Sequence, residues 1–232
     1  MSKLKTVFYW MSSCGGCEVS LLDTNEKLLE LAAISDISLM PLAFDGKYED
    51  IEILHDKQID IAFLNGGVRS SEHEHHAKLL RKKSKIVVAF GACASWGGIP
   101  GMANQFGSED IMKCVYEQTA SVVNSNPEKA RPQIKTETAE GEIELPVFYE
   151  RVFPLDEIVD VDYYLPGCPP SVEWVSKVID AVAGNSLPAR GSVIGSSKTV
   201  CDECPREKSA VRKVKKFYRP HEIIADPKKC LL

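Results

Sequence analysis

A chain of 232 residues, 44% hydrophobic and 26% charged, is long enough for one α/β domain with an appendage and can bury a sizeable core. Its formal net charge of −5 argues against nucleic-acid binding, which normally needs a basic surface. No apolar run approaches the roughly 20 residues of a membrane span. Met1-Ser-Lys-Leu passes straight into an apparent strand, so no leader is read and a cytoplasmic protein is expected.

Residues 4–11 are β-branched and aromatic and predict a first strand, followed by the loop Ser12–Cys17. Leucines at 21, 22, 28, 29 and 31 predict a helix over about 18–33. Residues 37–41 read as the second strand and 42–57 as polar and irregular. Ile59–Leu64 is the third strand and runs into Asn65-Gly66-Gly67. A polar helix is expected over 71–83. Lys85–Phe90, almost continuously apolar, fits a fourth strand buried on both faces. It enters Gly91-Ala-Cys93-Ala, and another helix is expected over about 108–122. Pro and Gly punctuate 124–158, which reads as an inserted arm. Asp160–Leu165 is the fifth strand, ending in Pro166-Gly-Cys168-Pro-Pro, and a helix over about 170–184 closes the alternation.

Strands alternating with helices predict a flavodoxin-like, doubly wound parallel sheet over 1–185, with an irregular cysteine-containing extension over 186–232. In a parallel sheet the carboxyl ends of the strands lie along one edge. Cys14 and Cys17 follow strand one, Cys93 follows strand four and Cys168 follows strand five, so all four are delivered to that edge. The glycines after strand three let backbone approach a bulky ligand there.

Alone, Cys14-x-x-Cys17 fits a redox pair, half a zinc site or half a cluster site. Four thiols at one edge disfavour a dithiol switch. Structural zinc sites usually use two close pairs, whereas here one pair joins two isolated cysteines, a spacing that a cubane cluster accommodates. Glu18 reads either as a first-turn acid favoured by the helix dipole or as a proton-handling carboxylate. Cys201-x-x-Cys204 and Cys230 form a second group, with Arg206, Lys208, Arg212, Lys213, Lys215, Lys216 and Arg219 between them. That basic stretch is either a docking surface or a solvated face. Three thiols do not complete a four-cysteine site, and the sequence stops two residues after Cys230. A truncated sequence or a fourth ligand from elsewhere is expected, with His221 a candidate. Cys114 reads as a packed core thiol, His73, His75 and His76 as a solvated polar face, and His55 as structural. No HExxH, Walker A or GxGxxG pattern is present.

Cys14-Gly-Gly-Cys17-Glu18, Gly91-Ala-Cys93-Ala with Gly97-Gly-Ile-Pro, and Pro166-Gly-Cys168-Pro-Pro resemble the small subunit of nickel–iron hydrogenases over about residues 4–185. The resemblance implies an oxidoreductase subunit that conducts electrons from dihydrogen oxidation in a nickel–iron large subunit. It implies a proximal 4Fe-4S cluster on Cys14, Cys17, Cys93 and Cys168, and a proton-transfer role for Glu18. At least one further cluster would lie in the C-terminal part, with Cys201, Cys204 and Cys230 among its ligands; periplasmic relatives have a His where Cys201 stands. The partners implied are the large subunit and an acceptor iron–sulfur or flavin subunit, such as one of heterodisulfide reductase. The chain looks most like the cytoplasmic methyl-viologen-reducing or deazaflavin-related enzymes of anaerobic metabolism, including methanogenesis. Two alternatives stay open. One is the homologous 20-kDa-type subunit of respiratory NADH:quinone oxidoreductase, which usually carries adjacent cysteines in place of Cys14-x-x-Cys17. The other is a zinc-stabilised or redox-sensing flavodoxin-like module.

Overall fold

The computed structural model describes residues 3–43, 46–124, 130–208, 216, 218–225 and 227–230. Chain order gives β1 (Leu4–Trp10), α1 (Gly16–Leu22), α2 (Glu26–Ile34), β2 (Ser35–Leu39), α3 (Tyr48–Glu52), β3 (Ile59–Asn65), β4 (Val68–Ser70), α4 (Ser71–Lys83) and β5 (Ser84–Phe90). There follow α5 (Ala92–Trp96), α6 (Gly98–Gly101), α7 (Ser108–Lys113), β6 (Lys135–Thr138), β7 (Gly141–Glu144), β8 (Phe148–Phe153), β9 (Tyr163–Leu165) and α8 (Val172–Ala183). Two short helices, α9 (Val200–Glu203) and α10 (Pro220–Ala225), come last. The chain packs as two units, 1–195 and 196–232.

The five-stranded sheet has the order β2-β1-β3-β5-β9, with every neighbouring pair parallel. This is the flavodoxin-like order expected from the sequence. The central strands are buried on both faces, which is why they lack apolar–polar alternation. Val7, Tyr9, Leu64, Val87 and Ala89 face one core layer, closed by Ala77 and Leu80 of α4. Phe8, Phe63, Val88 and Phe90 face the other, closed by α1, α2 and α8 through Leu21, Leu31, Val175, Val178 and Ile179. Phe8 and Phe63 stack at 4.9 Å between centroids across the β1–β3 pair. Helix α4 starts on a Ser70 cap that accepts from the His73 N–H, and ends on Arg81, Lys82 and Lys83, where cations suit the helix dipole.

Several expectations are corrected. The single helix over 18–33 is two, because Asn25 takes a positive φ of 52° between α1 and α2. Residues 42–57 contain α3 rather than only irregular chain. The helix over 108–122 stops at Lys113 and widens into a π-helical turn, so Cys114 is exposed and not a core thiol. His76 is not part of a solvated face: it is buried, shares a 2.8 Å hydrogen bond with Tyr9 Oη and stacks on Tyr48. Within the expected arm, β6 and β7 form an exposed antiparallel hairpin, and β8 pairs with β4, a strand absent from the sequence reading. Residues 190–194 stay with the first unit because Tyr164 N–H donates to Ser192 O and Ile194 N–H to Tyr164 O. Among the described residues no helix is long and apolar enough to cross a membrane.

The fifth strand is shorter than expected, and just before it Asp162 serves as a hub: its N–H donates to Val87 O at 2.9 Å. Its buried carboxylate accepts from Val87 N–H at 2.8 Å, from Arg81 and from Arg190 Nε at 2.7 Å. Asp162→Ala would leave a buried N–H and a half-buried guanidinium without their acceptor. The expected loss is about 3 kcal/mol of stability, read from chemical denaturation followed by circular dichroism.

Candidate metal centre

Four loops meet at the carboxyl edge of the sheet, and backbone hydrogen bonds fix them to one another. Ser12 and Gly67 exchange two bonds of 3.0 Å, joining the loops after β1 and β3. Gly91 N–H donates to Leu165 O and Ala92 N–H to Gly167 O, both at 2.7 Å, joining the loops after β5 and β9. Ser20 Oγ of α1 donates to Pro170 O at 2.6 Å, linking the loop after β9 to the helix that follows the first loop. The cysteines ride on these loops. Cys14 and Cys168 are exposed, whereas Cys17, in the first turn of α1, and Cys93, in α5, are buried.

The two buried thiols feel the other sulfurs. The Cys17 thiol is pushed up to about 12, first by burial and then by the neighbouring sulfurs of Cys93, Cys14 and Cys168 and the Glu18 carboxylate. Cys93 is raised mainly by burial, with Cys168 and Cys14 adding to it, while the Ile99 backbone N–H works in the opposite direction. The Gly16 N–H also donates to Cys14 Sγ at 3.4 Å. Negative charge on Cys17 and Cys93 is thus disfavoured by burial and by the neighbouring sulfurs, and a metal cation held there would offset it.

Glycine makes the approach to the sulfurs feasible. A Cβ at Gly91 would lie 2.2 Å from Cys17 Sγ, one at Gly98 2.9 Å from Cys93 Sγ, and one at Gly16 3.3 Å from Cys14 Sγ. Gly91 and Gly98 also hold φ of 89° and 51°, which L side chains rarely adopt. Among the described residues, no three His, Cys, Asp or Glu side chains are gathered as a single ion would require. A set of four soft thiols, delivered by four separate positions and walled by glycine backbone, fits an iron–sulfur cluster.

Glu18 lies one residue beyond Cys17 and has no exposed surface. Its Oε1 accepts from Asn65 Nδ2 at 3.2 Å, while Glu18 Oε2 and Asn65 Oδ1 are buried with no partner. Burial raises the Glu18 carboxyl, and bonds from Asn65 and the Leu42 backbone offset that in part. A proton on Glu18 would bring a donor to a spot that holds two orphan acceptors. Asn65 is the residue the sequence reading missed here. Its signal was a polar side chain closing the apolar run from Ile61 to Leu64 in β3.

The second cysteine group lies in the other unit. Thr199 caps α9 in a reciprocal pair with Asp202, placing Cys201 in that turn and Cys204 at its end. Glu207 N–H donates to Lys228 O and Arg206 Nη1 to Lys229 O, so the segments after Cys204 and before Cys230 run side by side. His221 is exposed. Arg212, Lys213 and Lys215 lie outside the described residues, whereas Lys208 donates to Cys204 O and Lys216 pairs with Glu222.

Residues 14–182 match the family described as NADH ubiquinone oxidoreductase, 20 Kd subunit. The iron-sulfur subunit of the F420-non-reducing hydrogenase of Archaeoglobus profundus is 41% identical, over 99% of this chain and 72% of its own length. A vhu-type F420-non-reducing hydrogenase subunit of Methanocaldococcus jannaschii is 37% identical, over 95% of this chain and 68% of its own. Among solved structures, an NAD+-reducing [NiFe]-hydrogenase in the H2-reduced state contains a chain that superposes with a TM-score of 0.67 at 31% identity. That match covers 80% of this chain and 94% of the other.

The glycine walls give a direct test. Gly91→Ala places a methyl group against Cys17 Sγ at a backbone conformation it resists, and the expected cost is about 2–4 kcal/mol of stability. Thermal unfolding of the variant should show a clear drop, while Gly101→Ala, where no atom lies within 4 Å of the new Cβ, should not.

Proposed function

The chain belongs to the NADH ubiquinone oxidoreductase 20-kDa subunit family, as a hydrogenase small-subunit-like member, and from that premise we propose that it is the electron-transfer subunit of a nickel–iron hydrogenase. The observation that supports this reading is the nearness of the sulfurs of Cys14, Cys93 and Cys168 to that of Cys17, with Gly91 and Gly98 packed against Cys17 and Cys93 where a side chain would clash. Those four residues would hold one 4Fe-4S cluster. Such a cluster, when bound, supplies one-electron transfer.

The residues of the chain divide the remaining work. Cys17 and Cys93 hold the buried side of the site, and Cys14 and Cys168 the exposed side. The Ile99 backbone N–H reaches the Cys93 sulfur and favours charge on it, and the Gly16 N–H donates to Cys14 Sγ. Glu18, buried with one oxygen unpartnered, is the carboxyl proposed to hold and pass a proton beside this site. Cys201, Cys204 and Cys230 would bind part of a further cluster whose fourth ligand is not among these three. The partners in this reading are a large subunit carrying nickel–iron and an acceptor iron–sulfur or flavin subunit, such as one of heterodisulfide reductase. The names of the two relatives favour an acceptor other than F420. A cytoplasmic location belongs to the same proposal.

The respiratory relative shares the family, but the Cys14-x-x-Cys17 spacing and the 41% identity to a hydrogenase subunit favour the hydrogenase reading. A zinc-stabilised module is disfavoured because structural zinc sites usually use two close cysteine pairs, whereas here one pair joins the isolated Cys93 and Cys168.

Iron and acid-labile sulfide, measured anaerobically on the chain purified with its partner subunits, test the reading. At least about four of each per chain are expected, and less than one cluster per chain would sink it. Cys168→Ala should remove about four iron atoms and stop hydrogen-driven viologen reduction, and an unchanged rate would refute the ligand assignment. Glu18→Gln keeps the shape and removes the titrating group. Iron content should stay constant while hydrogen-driven turnover falls about 100-fold or more; full turnover would remove Glu18 from the proposal.

A further inference from the structure

Every residue from Pro132 to Phe148 is exposed, yet this stretch holds the antiparallel pair β6–β7. A two-stranded hairpin is at best marginally stable in water unless a further strand or layer joins it. The sequence of this hairpin is patterned for such a partner. The register sets Thr136 opposite Ile143, Lys135 opposite Glu144 and Glu137 opposite Glu142. Opposite residues share a face, and successive residues alternate between faces. Ile134, Thr136, Ile143 and Leu145 therefore make one face, and Lys135, Glu137, Glu142 and Glu144 the other. Such alternation is the pattern of a sheet with one covered side. Here that side is open: Ile134 and Ile143 are each 52% exposed and Leu145 47%.

The hairpin is shaped before any partner arrives. Thr138 Oγ1 donates to Gly141 O at 2.9 Å and accepts from the Glu140 N–H at 3.3 Å, which ties the turn. At the base, Ser71 N–H donates to Val147 O at 3.0 Å and Val147 N–H to Ser71 Oγ at 2.9 Å, which anchors the arm to the start of α4. A preset arm spares the ordering cost that a loose loop would impose on binding. Leu145 N–H donates inward to Ile134 O at 2.8 Å. Inward and outward backbone groups alternate along an antiparallel pair, so those of Glu142 and Glu144 point away from β6. Among the described residues no third strand takes them. This edge is also acidic. Residues 135–144 carry one lysine, Lys135, against four glutamates, and Lys135 is shared between Glu142 and Glu144. Glu137 and Glu140 have no cationic partner among the described residues.

We propose that the free edge of β7 takes a third strand from a partner subunit, an extended segment in which basic and apolar side chains alternate. Such a strand pairs its backbone with the outward groups of Glu142 and Glu144 and lays its basic side chains beside their carboxylates. Its apolar side chains continue the face of Ile143 and Leu145. The edge of β6 is the poorer seat, because Lys135 and Glu137 present mixed charge there. A second copy of this chain is disfavoured as the occupant, because pairing like edges would set glutamates against glutamates. The surface belongs to the inserted arm and not to the thiol site, so the proposal stands apart from the electron-transfer reading.

The experiment uses the full chain purified with its partner subunits. A photo-reactive phenylalanine analogue replaces Ile143, and the cross-linked peptides are sequenced by mass spectrometry. The expected product joins position 143 to a partner segment in which Lys or Arg alternates with apolar residues. A product confined to this chain, a product with a second copy, a product with a helical or acidic segment, or no product overturns the proposal. Glu144→Pro removes one outward N–H and leaves the bonds between β6 and β7 in place. It should weaken association with the partner subunits about fivefold, and Glu142→Lys with Glu144→Lys about tenfold or more. Ile53→Asp, at a 79% exposed position at the end of α3, should leave association unchanged. Circular dichroism of each full chain separates lost docking from lost folding. Full association of both folded β7 variants overturns the proposal.

Discussion

The constraint on which the site depends is steric: two backbone positions against the thiols, Gly91 and Gly98, resist any side chain, and a third, Gly16, leaves little room for one. Gly91, Gly98 and Gly16 stand where a Cβ would fall 2.2, 2.9 and 3.3 Å from the sulfurs of Cys17, Cys93 and Cys14. Backbone bonds tie the loop after β1 to that after β3 and the loop after β5 to that after β9, and Ser20 Oγ joins the two pairs through Pro170 O. The parallel sheet supplies the site's geometry. Its strands all end on one edge, and β3, in the centre, sends Asn65-Gly66-Gly67 between the cysteine loops of its neighbours.

Burial gives the site its electrostatic character. Cys17 and Cys93 are raised by desolvation before any neighbour acts, and the other sulfurs raise them further. A site that disfavours free thiolates while gathering four of them is poised for a cationic inorganic centre. Glu18 extends the same logic by one residue. It is sealed from water and only half satisfied by Asn65, so its carboxyl is also raised. Three raised acids, at positions 17, 18 and 93, thus lie around one point of the sheet edge.

Much of this was legible in the sequence, and the reasons are physical. Strands buried on both faces read as unbroken apolar runs, so β1, β3 and β5 were found almost to the residue. The convergence of Cys14, Cys17, Cys93 and Cys168 followed from the alternation of strands and helices alone. What failed depended on contacts between distant segments. His76 looked solvated among its charged neighbours, yet Tyr9 and Tyr48, from two other elements, enclose it. Cys114 looked like a core residue because its helical pattern seemed to continue, but the helix loosens there into a wider turn. Strand β4 is three residues long and exists only because β8, some eighty residues later, pairs with it. The partnership of Glu18 with Asn65 needed the sheet order before it could be seen.

The strip from Gly91 to Gly107 links the thiol site to the outside of the molecule. One end supplies the buried Cys93 and the other a row of exposed apolar side chains. The central claim is the identity of the four ligands. Anomalous diffraction at the iron absorption edge, from anaerobically grown crystals of the complex, tests it most directly. The account predicts iron density bonded to Sγ of Cys14, Cys17, Cys93 and Cys168 together. Iron density away from any one of those four sulfurs, or a zinc edge signal at their centre, would contradict it.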